Sequence, residues 1–364
     1  MEEEKMVRAI RTLLSAAVLM SSGLWAASSY AQEKILLAHA LPRLSAGFAI
    51  ASSLPEYLGY WKEEGLEVEV VTNRGSAAAI QLVLGGRADA AYGNPTTAMK
   101  AVQKDSNLKF YYTSLRGDIF GIAIPEGSDL TGLSDLKGKT IGVSSFASGG
   151  ANYGKALLAT AGLKEGDFDM IEVGVGARAA GALKSDQVQA LSLWDSAYQA
   201  MNNSEINFSQ IIQDPRAKYF VAGSLTVKGE EIEKRRKMLV GLARGIAKAQ
   251  LFQEINPEAS VRIHWKVYPQ SAPREGVTDE AVADEVKVVT TRTEMQSANA
   301  VGTNRFGDIP KENMDKFQEY LVTVGDLPGA IDVGNYYTND LIDEINNFDR
   351  DAIIQQAKSF EISN

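Results

Sequence analysis

From Ile35 to Met201 short β-type runs alternate with helical patterns, and the alternation comes round twice in the same order. Strands separated by helices pair in parallel, with the helices covering the faces of the sheet. The first round has strands over 35–38, 66–71, 88–92 and 109–113. Its helices run over 45–60, 76–84 and 95–102, the last with Pro95 well placed in its first turn. The second has strands over 140–143, 170–173 and 190–193, with helices over 151–161, 178–184 and 196–201. Two such α/β units in succession predict two lobes. The extended stretches 120–124 and 220–227 read as a pair of crossover strands between them. Beyond these the chain is mainly helical, over about 230–254, 258–267, 278–291, 311–324, 338–348 and 350–358. Few β signals remain for a third sheet, so this tail packs back onto the first lobe. The expected organisation is lobe 1 from 32–119 and 228–364, and lobe 2 from 120–227.

Residues 1–31 stand apart. Arg8 and Arg11 precede an apolar run from Leu13 to Ala27, and Ser29-Tyr30-Ala31 puts small residues where a signal peptidase needs them, before Gln32. This is the layout of a cleaved signal peptide. The opening Met1-Glu2-Glu3-Glu4-Lys5 departs from a positive n-region, which a start at Met6 restores. The apolar run is shorter than the ~20 residues a spanning helix needs. The expectation is a soluble, exported protein, for which a bacterial periplasm fits. Cleavage leaves 333 residues with a net charge of −9, which disfavours nucleic acid as a partner. The chain has no cysteine, so disulfides, thiolate metal sites and a cysteine nucleophile are excluded. It has two histidines, His39 and His264, so a three-histidine metal site is excluded as well.

Several motifs invite a function. Lys137-Gly138-Lys139-Thr140 ends like a phosphate-binding loop, but Gly132 is one residue too far away and the motif leads into a strand rather than a helix. It reads as a polar turn. Gly174-Val175-Gly176-Ala177-Arg178-Ala179 follows a strand, opens a helix and has Asp195 19 residues after Gly176, which are the parts of a dinucleotide fingerprint. An exported protein meets little dinucleotide, and a helix start holding another polar group is the competing reading. Ser144-Ser145-Phe146-Ala147-Ser148-Gly149-Gly150 is either a capping loop or an anion site at a helix start. Gly75-Ser76 and Gly93-Asn94-Pro95-Thr96 occupy matching strand-to-helix turns. Ligands of open α/β sheets sit at such carboxyl-end turns, so these point to one polar cleft between the lobes.

Trp194 and Tyr198 are placed to flank a flat ligand and Asp195 to accept a donor; alternatively Asp195 caps a helix and Trp194 fills core. Arg116, near Asp118 at the first crossover, is either an anion clamp or a hinge ion pair. His39 follows the first strand and His264 lies in an amphipathic helix. Without a nucleophile elbow neither belongs to a triad, and both are expected to be structural.

In order and spacing, the segments Leu58-Gly59-Tyr60-Trp61-Lys62-Glu63-Glu64-Gly65-Leu66-Glu67-Val68, Gly86-Arg87-Ala88-Asp89-Ala90-Ala91, Leu133-Ser134-Asp135-Leu136-Lys137-Gly138-Lys139-Thr140-Ile141-Gly142-Val143 and Gln187-Val188-Gln189-Ala190-Leu191 resemble the solute-binding proteins of ABC transporters. Tyr336-Tyr337-Thr338 and Ile345-Asn346-Asn347-Phe348-Asp349 fit that family's closing helices. The branch is the nitrate, sulfonate, taurine and thiamine-precursor (pyrimidine) group, and the resemblance runs from near Ile35 to the C-terminus. It implies a type II periplasmic binding protein fold, two α/β lobes joined by two crossover strands and closing by hinge motion on a solute. It implies a non-enzymatic monomer without cofactor that delivers its solute to an ABC permease in the inner membrane. By position it implies ligand contacts from Pro42, Ser45, Ser76, Asn94 and Thr96 of lobe 1. From lobe 2 it implies Ser145, Phe146, Ser148, Gly149 and Trp194. Eukaryotic pyrimidine synthases of the group use a cysteine-rich motif that this chain lacks. Helix starts suit a sulfonate or carboxylate and aromatics suit a pyrimidine, and both kinds of group are present. Three rival readings are an exported α/β enzyme acting on a small organic acid, a dinucleotide-binding protein using Gly174–Ala179, and a sensor without a permease.

Overall fold

The computed structural model describes residues 32–216 and 219–362, so the signal peptide expected over 1–31 lies outside the described residues. Ten strands form two five-stranded sheets. They are β1 (Glu33–His39), β2 (Leu66–Thr72), β3 (Ala90–Gly93), β4 (Leu108–Arg116), β5 (Phe120–Pro125), β6 (Thr140–Val143), β7 (Asp169–Glu172), β8 (Ala190–Trp194), β9 (Phe208–Ile212) and β10 (Val221–Lys228). The first sheet has the order β2-β1-β3-β10-β4 and the second the order β7-β6-β8-β5-β9. In each, three strands pair in parallel around the first to enter. Ile35 faces Val68 and Ala38 faces Ala91; Ile141 faces Met170 and Ala190. The burial of β1 deepens from Glu33 at the surface to Ala38 and His39 in the interior, so the strand delivers its C-terminal residue to the inside of the molecule.

The two expected crossover strands do not pair with each other. β5 runs antiparallel between β8 and β9, while β10 runs antiparallel between β3 and β4. Each inserts into the sheet it enters, because a chain that crosses from one lobe arrives running opposite to the parallel strands. What links the two crossings is the chain beside them: the Gly117 amide donates to the Phe220 carbonyl at 2.8 Å, and the Gln213 amide to the Phe120 carbonyl at 2.8 Å. β10, whose residues up to 227 were expected in lobe 2, pairs wholly within the first sheet.

Helices cover the sheets: α1 (Ser76–Leu84), α2 (Pro95–Val102), α3 (Gly149–Thr160), α4 (Ala177–Lys184) and α5 (Asp195–Asn202) follow strands, and α6 (Arg236–Ile255), α7 (Pro257–Val267), α8 (Asp279–Thr290), α9 (Lys311–Thr323) and α10 (Arg350–Ser359) form the tail. Two begin with side-chain caps at the cleft: Asn94 accepts from the Thr96 amide at 2.9 Å and Ser148 from the Ala151 amide at 3.2 Å. α6 buries Leu239, Leu242, Ala243 and Ile246 completely. At Gly245 it comes so close to Trp61 that a Cβ would lie 2.3 Å from the indole, whose Nε1 donates to the Leu242 carbonyl at 3.0 Å. The helix expected over 45–60 is broken into Ala46–Ala51, Ser53–Tyr57 and Tyr60–Glu63, because Ser52 is not helical and Gly59 is left-handed with φ 78°. The tail expected as a helix over 338–348 holds only the short Ile342–Ile345. Among the described residues no helix is long and apolar enough to cross a membrane.

Candidate ligand-binding cleft

The carboxyl ends of six parallel strands, three from each sheet, converge on one cavity of about 200 Å³. His39 ends β1, Arg74 to Ser76 follow β2, and Gly93 and Asn94 end β3. Ser144 and Ser145 follow β6, Glu172 and Gly174 end β7, and Trp194 ends β8. The two sides touch. The Ser145 hydroxyl donates to the Arg74 carbonyl at 3.2 Å. At Gly75, with φ 110°, a Cβ would stand 2.4 Å from the Ala147 carbonyl oxygen. Only glycine allows that approach.

One wall is apolar. Leu41, Phe48, Ile119, Phe120 and Trp194 line it, with Trp194 edge-on to Phe48 at 6.4 Å between centroids. The opposite side is polar. α1 and α3 begin here, and first-turn amides of a helix have no intrahelical partner, so both present partial positive charge. The Ser76 hydroxyl accepts from the Asn94 amide at 2.9 Å, and the Ser148 hydroxyl donates to the Ser145 carbonyl at 2.7 Å. Arg74 and Arg178 line the mouth as exposed side chains, and among the described residues no carboxylate forms an ion pair with either. The one acid of the lining, Glu172, accepts from the Phe146 amide at 2.8 Å. The mouth therefore carries a surplus positive charge inside a chain whose net charge is −9.

His39 lies at the inner end. It is 1% exposed and lines the cavity, its ring tilted on Tyr92 at 4.9 Å and edge-on to Phe48 at 5.5 Å. Burial, with the charge of Arg292 adding, lowers its pKa to about 3, so the imidazole is neutral at physiological pH. Neither ring nitrogen has a hydrogen-bond partner among the described residues, whereas the neighbouring Tyr92 hydroxyl is already taken up by the Ser114 hydroxyl at 2.5 Å. The expectation of a hydrogen-bonded structural histidine fits His264, whose Nδ1 meets the Ser53 hydroxyl at 2.8 Å. It does not fit His39.

Of the residues singled out in the sequence, Pro42, Ser76, Asn94, Ser145, Ser148, Gly149 and Trp194 line the cavity. The other six do not. Thr96 faces a small separate cavity, and Ser45 sits before the helical turn from Ala46 without lining either. Phe146 turns outward, 58% exposed. Arg116 is an internal ion pair: its guanidinium meets Asp308 at 3.1 Å and donates to the carbonyls of Arg305 and Ser297. Asp195 gives both oxygens to buried Arg292, at 2.8 and 3.1 Å from Nε, and Arg292 also donates to the Gly47 carbonyl. That pair joins the end of the second sheet to the tail and takes up Asp195, the acid of the dinucleotide reading. Tyr198 is enclosed, its hydroxyl bonded to the carbonyls of Gly121 and Leu191 and to the Leu193 amide. Conversely, His39, Phe48, Tyr92, Arg74, Glu172 and Arg178 line the cavity without having been singled out as ligands. Arg178 lies in the glycine motif and Arg74 directly before Gly75-Ser76, so their place beside those turns was the available signal. No cluster of acids and histidines able to hold a metal ion occurs among the described residues.

Two α/β sheets, each completed by an antiparallel strand arriving from the other, with a cavity at their facing strand ends, define the type II periplasmic binding protein fold. The family model described as NMT1/THI5 like matches residues 50–259, and the chain belongs to that family. Its fold matches the alkanesulfonate-binding protein SsuA of Xanthomonas axonopodis pv. citri bound to MOPS (TM-score 0.64, 14% identity, 84% of this chain and 98% of that one). It matches the periplasmic nitrate-binding protein NrtA of Synechocystis PCC 6803 (TM-score 0.60, 14% identity, 91% and 99%). A protein of Bordetella bronchiseptica RB50 matches with TM-score 0.69 and 23% identity over 86% and 97% of the two chains. A comparison with curated proteins finds no match. The fold is thus shared with sulfonate- and nitrate-binding proteins.

Proposed function

We propose that this protein is exported by cleavage after Ala31, captures a small organic anion between its lobes as a monomer in the periplasm, and hands it to an inner-membrane ABC permease. The observation that carries the choice of solute is the cavity mouth: Arg74, just before α1, and Arg178, in the first turn of α4, have no carboxylate partners among the described residues and line the same cavity as Ser148 and Gly149 at the start of α3. An anionic head placed there meets oriented amides and guanidinium groups at once. The head is a sulfonate or carboxylate on an organic body. Inorganic nitrate, little larger than a water molecule at ~30 Å³, leaves most of a 200 Å³ cavity unfilled and its aromatic wall without contacts. The MOPS bound by the Xanthomonas alkanesulfonate-binding protein supports the same pairing of sulfonate head and organic body.

The test is calorimetric and thermal titration of residues 32–364 with benzenesulfonate, benzoate, taurine, a neutral pyrimidine and NAD. At 100 times its dissociation constant a ligand adds ~2.7 kcal/mol of stability. The expected result is stabilisation by benzenesulfonate or benzoate, weakened at least ~10-fold in the Arg74→Ala/Arg178→Ala double variant, which is ~1.4 kcal/mol. Stabilisation by the pyrimidine or NAD alone overturns the reading.

A further inference from the structure

His39 lines the cavity, and its two ring nitrogens have no hydrogen-bond partner among the described residues, although the residue is 1% exposed. Buried polar groups in folded proteins nearly always have a partner, and the exceptions call for an explanation. Its surroundings do not supply one. The ring is clamped between Tyr92 and Phe48, the Tyr92 hydroxyl is spent on Ser114, and the Asn73 amide reaches the His39 carbonyl rather than its ring. A neutral imidazole holds one donor and one acceptor. His39 lines the cavity together with the apolar Leu41, Phe48, Ile119 and Trp194; its ring nitrogens are covered in the empty protein, so a turn of the ring is what brings its donor or acceptor to the body of a solute.

We infer that His39 is a specificity-determining residue, and that the solute is an organic anion whose apolar body carries a second polar group, a hydroxyl or an acceptor nitrogen, that hydrogen-bonds the imidazole. This rests on the reading of the cleft as an anion site and deepens it: the mouth takes the head, and His39 reads the tail. A site built to hydrogen-bond a substrate group rejects an analogue lacking it far more strongly than an apolar pocket rejects an extra atom, because the buried protein group is then left unpaired. The same chemistry explains why a bare alkyl or phenyl tail is the poorer occupant.

The experiment compares benzenesulfonate with its 2-, 3- and 4-hydroxy isomers and with pyridine-3-sulfonate, by calorimetry, on the wild-type chain and on His39→Phe and His39→Asn. Phenylalanine keeps the ring packing without the nitrogens, and asparagine keeps a donor and an acceptor. Selective 15N-histidine labelling adds a readout that needs no variant, since two histidines give two separable imidazoles. The expected result is that at least one substituted sulfonate binds ~10-fold or more tighter than benzenesulfonate. Its binding shifts the His39 ring nitrogens and leaves those of His264 in place. His39→Phe abolishes the preference among the five sulfonates, whatever it does to their common affinity, and His39→Asn keeps part of it. Binding of all five sulfonates with equal affinity, or saturation with the His39 nitrogens unmoved, overturns the inference and leaves the anion site standing. Failure of every sulfonate and of benzoate to bind overturns the anion site, and the inference falls with it.

Discussion

At the residue scale, the cleft separates side chains that wait for a ligand from those whose bonding is complete. Trp194 is 9% exposed, but its free face is the cavity wall. Truncating a fully enclosed tryptophan costs about 3–5 kcal/mol. Trp194→Ala is expected to cost less, ~2 kcal/mol, in urea unfolding of the empty protein, and to weaken benzenesulfonate at least ~10-fold in calorimetry. A variant with unchanged stability and unchanged affinity removes Trp194 from both roles. Arg116 is the opposite case. Its buried pair with Asp308 is sealed on both sides, 0% and 1% exposed. Asp308 keeps a second counter-ion in Arg305 at 3.2 Å, so removing Arg116 costs less than the ~3–5 kcal/mol of an unpaired buried charge, about 2 kcal/mol. Arg116→Met is therefore expected to lower the unfolding free energy by about that amount, with the benzenesulfonate affinity of the folded protein unchanged. A selective loss of affinity at full stability instead restores Arg116 as a clamp.

At the scale of elements, closure depends on how near the turn before α1 comes to the loop before α3. Gly75→Ala combines an unfavourable φ of 110° with a Cβ 2.4 Å from the Ala147 carbonyl, so the lobes must stand apart to accept it. The expected outcome is a faster off-rate for benzenesulfonate, and a radius of gyration by small-angle scattering that stays large in saturating sulfonate where the wild-type value falls. Equal radii exclude this contact as the one that limits closure. The strands that deliver these turns were legible in the sequence. Thr140–Val143 has the expected bounds, and β3, β7 and β8 shift by a residue or two; β3, β6 and β8 are buried strands between helices, which give short apolar runs with clear ends. β9 was missed: its burial alternates only between intermediate and exposed along 208–212, which gives no apolar signal. The helix-start turns of the site were legible for the same reason as the strands. The bonding of Arg116, Asp195 and Tyr198 was not, since their partners Asp308, Arg292 and Gly121 lie 192, 97 and 77 residues away in the chain. A local pattern carries no record of such pairings, and the same blindness hid that the His39 ring has no hydrogen-bond partner among the described residues.

At the scale of the whole molecule, buried ionisable groups set a pH optimum by two opposing contributions. Burial lowers His39 to about 3 and His264 to about 4, from an ordinary 6.5. The unfolded chain binds protons that the folded one refuses, so this stability is complete above about pH 6.5 and is lost as the pH falls toward 4 and 3. Burial raises Asp118, at the first crossing, to about 8, against the Tyr153 hydroxyl and the Phe120 amide that hold it down, and it raises Glu285 on α8 to about 7. Here the folded chain keeps protons that the unfolded one gives up. That contribution is present below their ordinary values of 3.8 and 4.5 and is lost as the pH rises through 7 and 8. Between about pH 4.5 and 6.5 the two histidines and two acids offset each other. Above 6.5 the acids act alone, with a slope approaching ~1.4 kcal/mol per pH unit for each proton. Urea unfolding at pH 5, 6, 7 and 8 is therefore expected to give a plateau that ends near 6.5 and a fall toward 8. Asp118→Asn, which carries no ionisable group there, is expected to flatten the fall and leave the smaller share of Glu285. A wild-type stability that climbs from pH 6.5 to 8, or an Asp118→Asn curve with the wild-type slope, takes Asp118 out of the balance and with it the idea that the first crossing holds a protonated carboxyl.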